Sequence, residues 1–180
     1  DGKLTRIAHG TFTEIDTPTD NRGYLALSDS RGGAWFAFGN NAGLVRMKNG
    51  TVRRYSADDG LGSGRINALT EAAGVLWAAT NVGLSRSEGD RFVTIDRTRL
   101  PGTPTSVAVD DAGFLWLGIG SSFVRLGIKE FEKALADPAY QIPFSLYDAS
   151  DGAPGPPAVV IGRGSVRAAD GSLWFATRQG

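Results

Sequence analysis

Glycine followed three residues later by tryptophan occurs at Gly32/Trp35, Gly74/Trp77, Gly113/Trp116 and Gly171/Trp174, and the pattern uses every tryptophan in the chain. The indoles stand 42, 39 and 58 residues apart. A spacing of about 40 to 45 residues is that of a four-stranded unit, which cannot bury its faces alone and must stack on copies of itself. The long third interval marks an insertion.

The residues around each tryptophan say how the units stack. Two positions on comes a small residue, Ala37, Ala79, Gly118 or Ala176, on the same strand face as the indole. The other face is apolar too, with Phe36 and Phe38, Leu76 and Ala78, Leu115 and Leu117, and Leu173 and Phe175. A strand apolar on both faces lies in a sheet packed between two others, and a large side chain beside a small one lets such sheets interlock. This predicts an all-β chain, a β-propeller of four-stranded antiparallel blades.

Further strands follow from the same frame. Ala26, Ala68, Val107 and Ser165, each nine positions before an indole, are expected on the innermost strand, where room is scarce. A third strand carries Leu44/Arg46, Leu84/Arg86 or Phe123/Arg125, and Leu4/Arg6 repeats it; these arginines are expected to face solvent over apolar surface. Eight residues after the leucine, Phe12, Val52 and Phe92 mark the outer strand. The expected organisation is one propeller segment of about four blades' worth: a half blade at 1–16, blades at 22–58, 64–97 and 104–148, and a half blade at 163–180. Within the third blade, 127–137 reads as a helical insertion with Ile128, Phe131 and Leu135 on one stripe, lying on the outside of its blade or meeting a partner domain. A chain that opens and closes in mid-blade is expected to be an arc of a larger propeller. Its end faces then invite the remaining blades or self-association.

Composition narrows the function classes. Nineteen basic residues balance nineteen acidic ones without a block of either sign, so no nucleic-acid partner is expected. No run approaches the roughly 18 to 20 apolar residues of a membrane span, and no membrane contact is expected within the chain. With no cysteine there is neither a disulfide nor a thiolate site.

Candidate chemistry is sparse. The one histidine, His9, falls in a turn between a third and an outer strand. Asp58/Asp59 and Asp110/Asp111 lack the further oxygen ligands of a cation loop and read as turn residues. No Gly-x-Ser-x-Gly elbow occurs, and the run Gly60–Gly64 is not followed by a phosphate-loop lysine. An Asp-box turn would need serine seven and aspartate five residues before the tryptophan, and no turn supplies both: Ser28 and Asp111 are single matches in different turns. No catalytic residue, metal or cofactor is expected. Ligand-binding loops of a propeller lie at one end of the channel, between second and third strands and at the entrances to inner strands. They supply Asn40, Asn41, Asn81 and Arg178, and Arg65, Asn67 and Arg163, whose amides and guanidinium groups suit a hydroxylated, saccharide-like or anionic small ligand.

One family shares these features. Leu76-Trp77-Ala78-Ala79-Thr80-Asn81-Val82-Gly83-Leu84, its echo from Leu173 to Gly180, and the link Tyr55-Ser56-Ala57-Asp58-Asp59-Gly60-Leu61, echoed at Tyr147 to Gly152, resemble the two-component regulator propeller repeat. The likeness covers essentially the whole chain. The turn from Phe38 to Gly43 is two residues longer than its counterpart after Trp77, and Ser122 replaces an expected glycine. The resemblance implies a non-catalytic, periplasmic or extracellular sensor segment of a bacterial inner-membrane signalling protein, with a histidine kinase or other output domain elsewhere. The alternatives are a secreted propeller enzyme of streptogramin-lyase type, whose blades also carry elements like Trp174-Phe175, and a protein-interaction scaffold.

Overall fold

The computed structural model describes residues 3–17, 22–39, 43–158 and 164–178. Sixteen strands among them form five antiparallel sheets in chain order. The first sheet has two strands, β1 (Leu4–Ala8) and β2 (Thr11–Ile15). Three four-stranded blades follow: β3 (Gly23–Ser28), β4 (Ala34–Phe38), β5 (Leu44–Lys48) and β6 (Thr51–Tyr55); β7 (Ile66–Ala72), β8 (Val75–Thr80), β9 (Gly83–Glu88) and β10 (Arg91–Asp96); β11 (Pro104–Val109), β12 (Phe114–Ile119), β13 (Ser122–Gly127) and β14 (Ser145–Tyr147). A second two-stranded sheet, β15 (Ser165–Arg167) and β16 (Leu173–Phe175), ends the row. The fold is a β-propeller arc, as the tryptophan repeat requires.

The blades meet by unlike faces. The indole face of the first blade (Leu25, Trp35, Ala37, Leu44, Tyr55) packs on the aliphatic face of the second (Ile66, Leu69, Leu76, Ala78), and Phe92 joins them. The second blade's indole face (Ala68, Trp77, Ala79, Leu84, Ile95) packs in the same sense on the third's Val107, Leu115, Leu117 and Val124. Ala37, Ala78 and Ala79 are wholly buried, so the small residue beside Trp35 and Trp77 is where the neighbouring sheet enters.

All four repeat glycines have positive φ, from 77° at Gly32 to 88° at Gly171, a region costly for residues with a Cβ. Three of the inner hairpins close the same way: Asp29, Asp110 and Ala168 each bond through their N–H to the carbonyl four residues on. In the second blade Ala73 and Gly74 alone make the turn, at φ 51° and 78°, and Ala72 pairs with Val75. The shorter turn shifts the register. Ala26, Val107 and Ser165 lie opposite Phe36, Leu117 and Phe175, but Ala68 lies opposite Ala79. Ala68 therefore sits on the indole face, and Leu69 takes the place the nine-residue spacing had assigned to it; a one-residue slip exchanges the faces of a strand. Ala26, expected in a crowded spot, is exposed.

Two other expectations are corrected. Helix α1 (Ile128–Ala136) does not lie on its own blade alone: it contacts β13 of that blade and β10 of the blade before, with Phe131 fully buried against Trp77 at 4.9 Å between ring centroids. Its apolar stripe is spent on the junction between blades, and the stripe is thereby withdrawn from a partner domain. The Leu-x-Arg arginines do not simply face solvent. Arg46 stacks on Trp35 at 5.0 Å and bonds Asp29 at 2.7 Å; Arg86 lies over Trp77 and Phe131 and reaches Glu132 of α1 at 3.1 Å; Arg125 lies 3.5 Å over Phe114.

Candidate functional site

Antiparallel order puts the connections from second to third strand and from outer to next inner strand at one end of the arc, and the hairpins at the other. At the first end the structure gathers Tyr24, Arg65 and Asn81 where the first two blades meet. The N–H of Asn81 donates to the Arg65 carbonyl at 3.0 Å, and both side chains are exposed. The Arg65 guanidinium stands 5.6 Å from the Tyr24 ring centre. The Tyr24 hydroxyl donates to the Ile66 carbonyl at 2.8 Å and accepts from the Ile66 N–H at 3.0 Å, fixing the ring between two inner strands. Burial raises the Tyr24 phenol above its ordinary pKa, against the weaker pull of that backbone bond and of Arg65.

Asn67 is occupied differently. Its amide donates to the Pro104 carbonyl at 2.9 Å and ties the second blade's inner strand to the third's. Arg178 is exposed at the same end on the last sheet, where its N–H bonds the Pro156 carbonyl at 3.0 Å. Asn40, Asn41 and Arg163 lie outside the described residues. His9 occupies the β1–β2 hairpin turn at φ 50°, away from the Tyr24 cluster. Among the described residues no group of three or more histidine, cysteine or acidic side chains could hold a metal, and no helix is long and apolar enough to cross a membrane.

The hairpin end is also polar, with an organisation that the repeat spacing does not signal. Asp29 accepts from the N–H groups of Arg31 and Gly33 at 3.0 and 2.6 Å and from the Trp35 indole at 3.2 Å. Asp110 repeats this with Ala112, Phe114 and Trp116 at 3.0, 2.9 and 2.8 Å. Each stands six residues before its tryptophan, a position between the two that define an Asp box. Glu71 accepts from Ser30 of the preceding blade, and Arg167 bonds Asp111, so these turns are linked from blade to blade. A groove of about 780 Å³ opens there, lined by Arg31, Glu71, Asp110, Asp111, Glu132 and Arg167 among others. Several of these side chains already have partners: Asp111 pairs with Arg167, Glu132 with Arg86, Glu71 with Ser30, and Asp110 with the Trp116 indole.

No family model matches the chain, and no curated protein does. Solved structures do. A catalytically inactive histidine-to-alanine variant of virginiamycin B lyase from Staphylococcus aureus, with quinupristin, superposes at a TM-score of 0.69 and 17% identity over 98% of this chain and 57% of the lyase. The extracellular domain of a putative hybrid two-component system protein from B. thetaiotaomicron superposes at 0.66 and 16% identity over 94% of this chain and 23% of that one. That of a putative one-component system from the same organism gives 0.59 and 17% over 91% and 20%. The chain thus spans less than three fifths of the lyase and between a fifth and a quarter of the two extracellular domains. At such identities the likeness shows the propeller fold, shared by sensors and a lyase.

Proposed function

We propose that the chain is an extracellular ligand-recognition segment of a bacterial signalling protein and carries out no chemistry itself. The observation that carries this reading is the Tyr24, Arg65 and Asn81 cluster. An aromatic face and a guanidinium stand together at one end of the arc, with the exposed Asn81 bonded through its backbone to Arg65, and Tyr24 is held by two backbone bonds. Such a set suits a hydroxylated or anionic small molecule, a saccharide or sugar acid above all. The repeat link around Ser56 to Leu61, the fold shared with two-component extracellular domains, and the position of His9 all agree with it.

The streptogramin-lyase reading has one observation behind it, the likeness to virginiamycin B lyase. That lyase is inactive once a single histidine is replaced by alanine, whereas the one histidine here caps an exposed hairpin. A single set of assays separates the two readings. In a thermal-shift screen of neutral and acidic oligosaccharides, at least one is expected to raise the melting temperature of the chain, and Arg65→Ala with Asn81→Ala is expected to abolish the shift. Quinupristin is expected to survive incubation intact. Its turnover, lost in His9→Ala, would sink the sensor reading.

A further inference from the structure

The outer strands of the first two blades match position by position but carry different surfaces. On the second blade Arg86 lies between Trp77 and Val93, and Glu88 lies opposite Arg91. Helix α1 covers that surface: Val93, Ile128 and Leu135 pack on the cluster that holds Trp77 and Phe131, and Glu132 bonds Arg86 at 3.1 Å. On the first blade Arg46 likewise lies opposite Trp35, but its partner on β6 is Arg53, and Lys48 stands where the second blade has Glu88. Two arginines directly opposite each other repel. No helix closes over them, since α1 is the one α-helix among the described residues and it is spent on the next junction.

A groove of about 380 Å³ opens there instead, at the hairpin end of the arc, with Arg46, Lys48, Thr51 and Arg53 of the first blade facing Asp90 of the second. Its cations are unequally occupied. Arg46 is tied at 2.7 Å to Asp29, which is nearly buried. Arg53 rests on the Tyr55 ring at 4.7 Å and bonds the Asp90 carboxylate at 2.9 Å, but that carboxylate is 80% exposed, and a pair held so openly exchanges readily for another. Lys48 has no partner among the described residues. The turn at Asn49 and Gly50, with φ 49° and 78°, is of the tight kind that fixes two strands rigidly, so Lys48 and Arg53 keep their spacing without a ligand.

We propose that this groove docks an acidic peptide segment of a partner protein, with one carboxylate on Lys48 and another displacing Asp90 from Arg53. Clustered cations recognise acidic motifs in this way, and the next junction shows the chain making the same contact internally, from Glu132 to Arg86. The strand beside the groove favours a peptide over a saccharide. β6 is the last strand of its sheet, and among the described strands none pairs with its outer side. An extended segment laid along it gains main-chain bonds, and carboxylates on alternate residues then fall beside Arg53 and beside Thr51, which pairs with Lys48. The groove lies at the opposite end of the arc from Tyr24, so the proposal stands apart from the small-ligand reading.

Fluorescence anisotropy tests this on the 180-residue chain at low salt, with a labelled, capped peptide that alternates glutamate with threonine and a counterpart with glutamine in place of glutamate. The glutamate peptide is expected to bind and the glutamine peptide not. Lys48→Glu is expected to weaken binding about tenfold or more, and its melting curve is expected to stay put because Lys48 holds nothing in the fold. Asp90→Asn removes the competing carboxylate and is expected to strengthen binding about two- to threefold, a gain that a structural role for Asp90 would not produce. Arg65→Ala, at the other end of the arc, is expected to change nothing. Equal binding of the two peptides, a loss in Lys48→Glu no larger than in the exposed control Lys129→Glu, or no gain in Asp90→Asn overturns the proposal. A sulfated disaccharide that binds where the glutamate peptide does not assigns the groove to a glycan and overturns it as well.

Discussion

Asp29 shows how much one carboxylate does in a turn. Burial alone would favour its neutral form, but the Gly33 N–H, the Arg46 guanidinium and the Arg31 N–H outweigh that and hold its pKa below the ordinary carboxylate value. A carboxyl with a depressed folded-state pKa contributes stability that is fully present above the unfolded value, and loses it as pH falls through the folded one. Asp29→Asn is therefore expected to cost about 1–3 kcal/mol at neutral pH. It should also give a shallower loss of stability below about pH 4, read from urea midpoints along an acid series. The sequence displayed the glycine and the indole of this turn because both residue types are rare and evenly spaced. It concealed the aspartate, which is common, is replaced by Ala168 in the last sheet, and meets the indole only once the hairpin has closed.

The link after the outer strand is a small element with its own logic. Residues Ala57–Asp59 form a 3₁₀ turn with a reciprocal capping box between Ser56 and Asp59, closed by Gly60 at φ 86°. Asp148, Asp151 and Gly152, the last at φ 92°, repeat it after the third blade. A Cβ on Gly60 would lie 2.1 Å from the Phe92 carbonyl oxygen, so strain and a backbone collision coincide there. Gly60→Ala is expected to destabilise by at least about 2 kcal/mol, seen as a lower urea midpoint. Helix α1 makes a second element-scale prediction. Phe131→Ala empties the space beside Trp77 and is expected to cost about 3–5 kcal/mol, with a red shift of tryptophan emission. The helix itself was legible from its stripe, but its direction was not: periodicity gives the apolar face and not the surface that receives it. The slipped register of β7 was hidden for a similar reason, since constant spacing in sequence disguised a turn one residue shorter.

Across the whole molecule, the arrangement of blades was readable because both faces of each tryptophan strand must be buried, whereas the candidate site was readable only in part. Arg65 and Asn81 fall together because antiparallel pairing makes them neighbours, but Asn67 was drawn into a tie between inner strands that no local pattern signals. Each junction joins an indole face to an aliphatic one, and this gives the row of blades a direction. A gene segment encoding one such unit could therefore be copied in tandem, and the new protein layer would find on either side the surfaces its parent already fitted. Growth by duplication then needs no new interface, only a chain able to tolerate a wider ring.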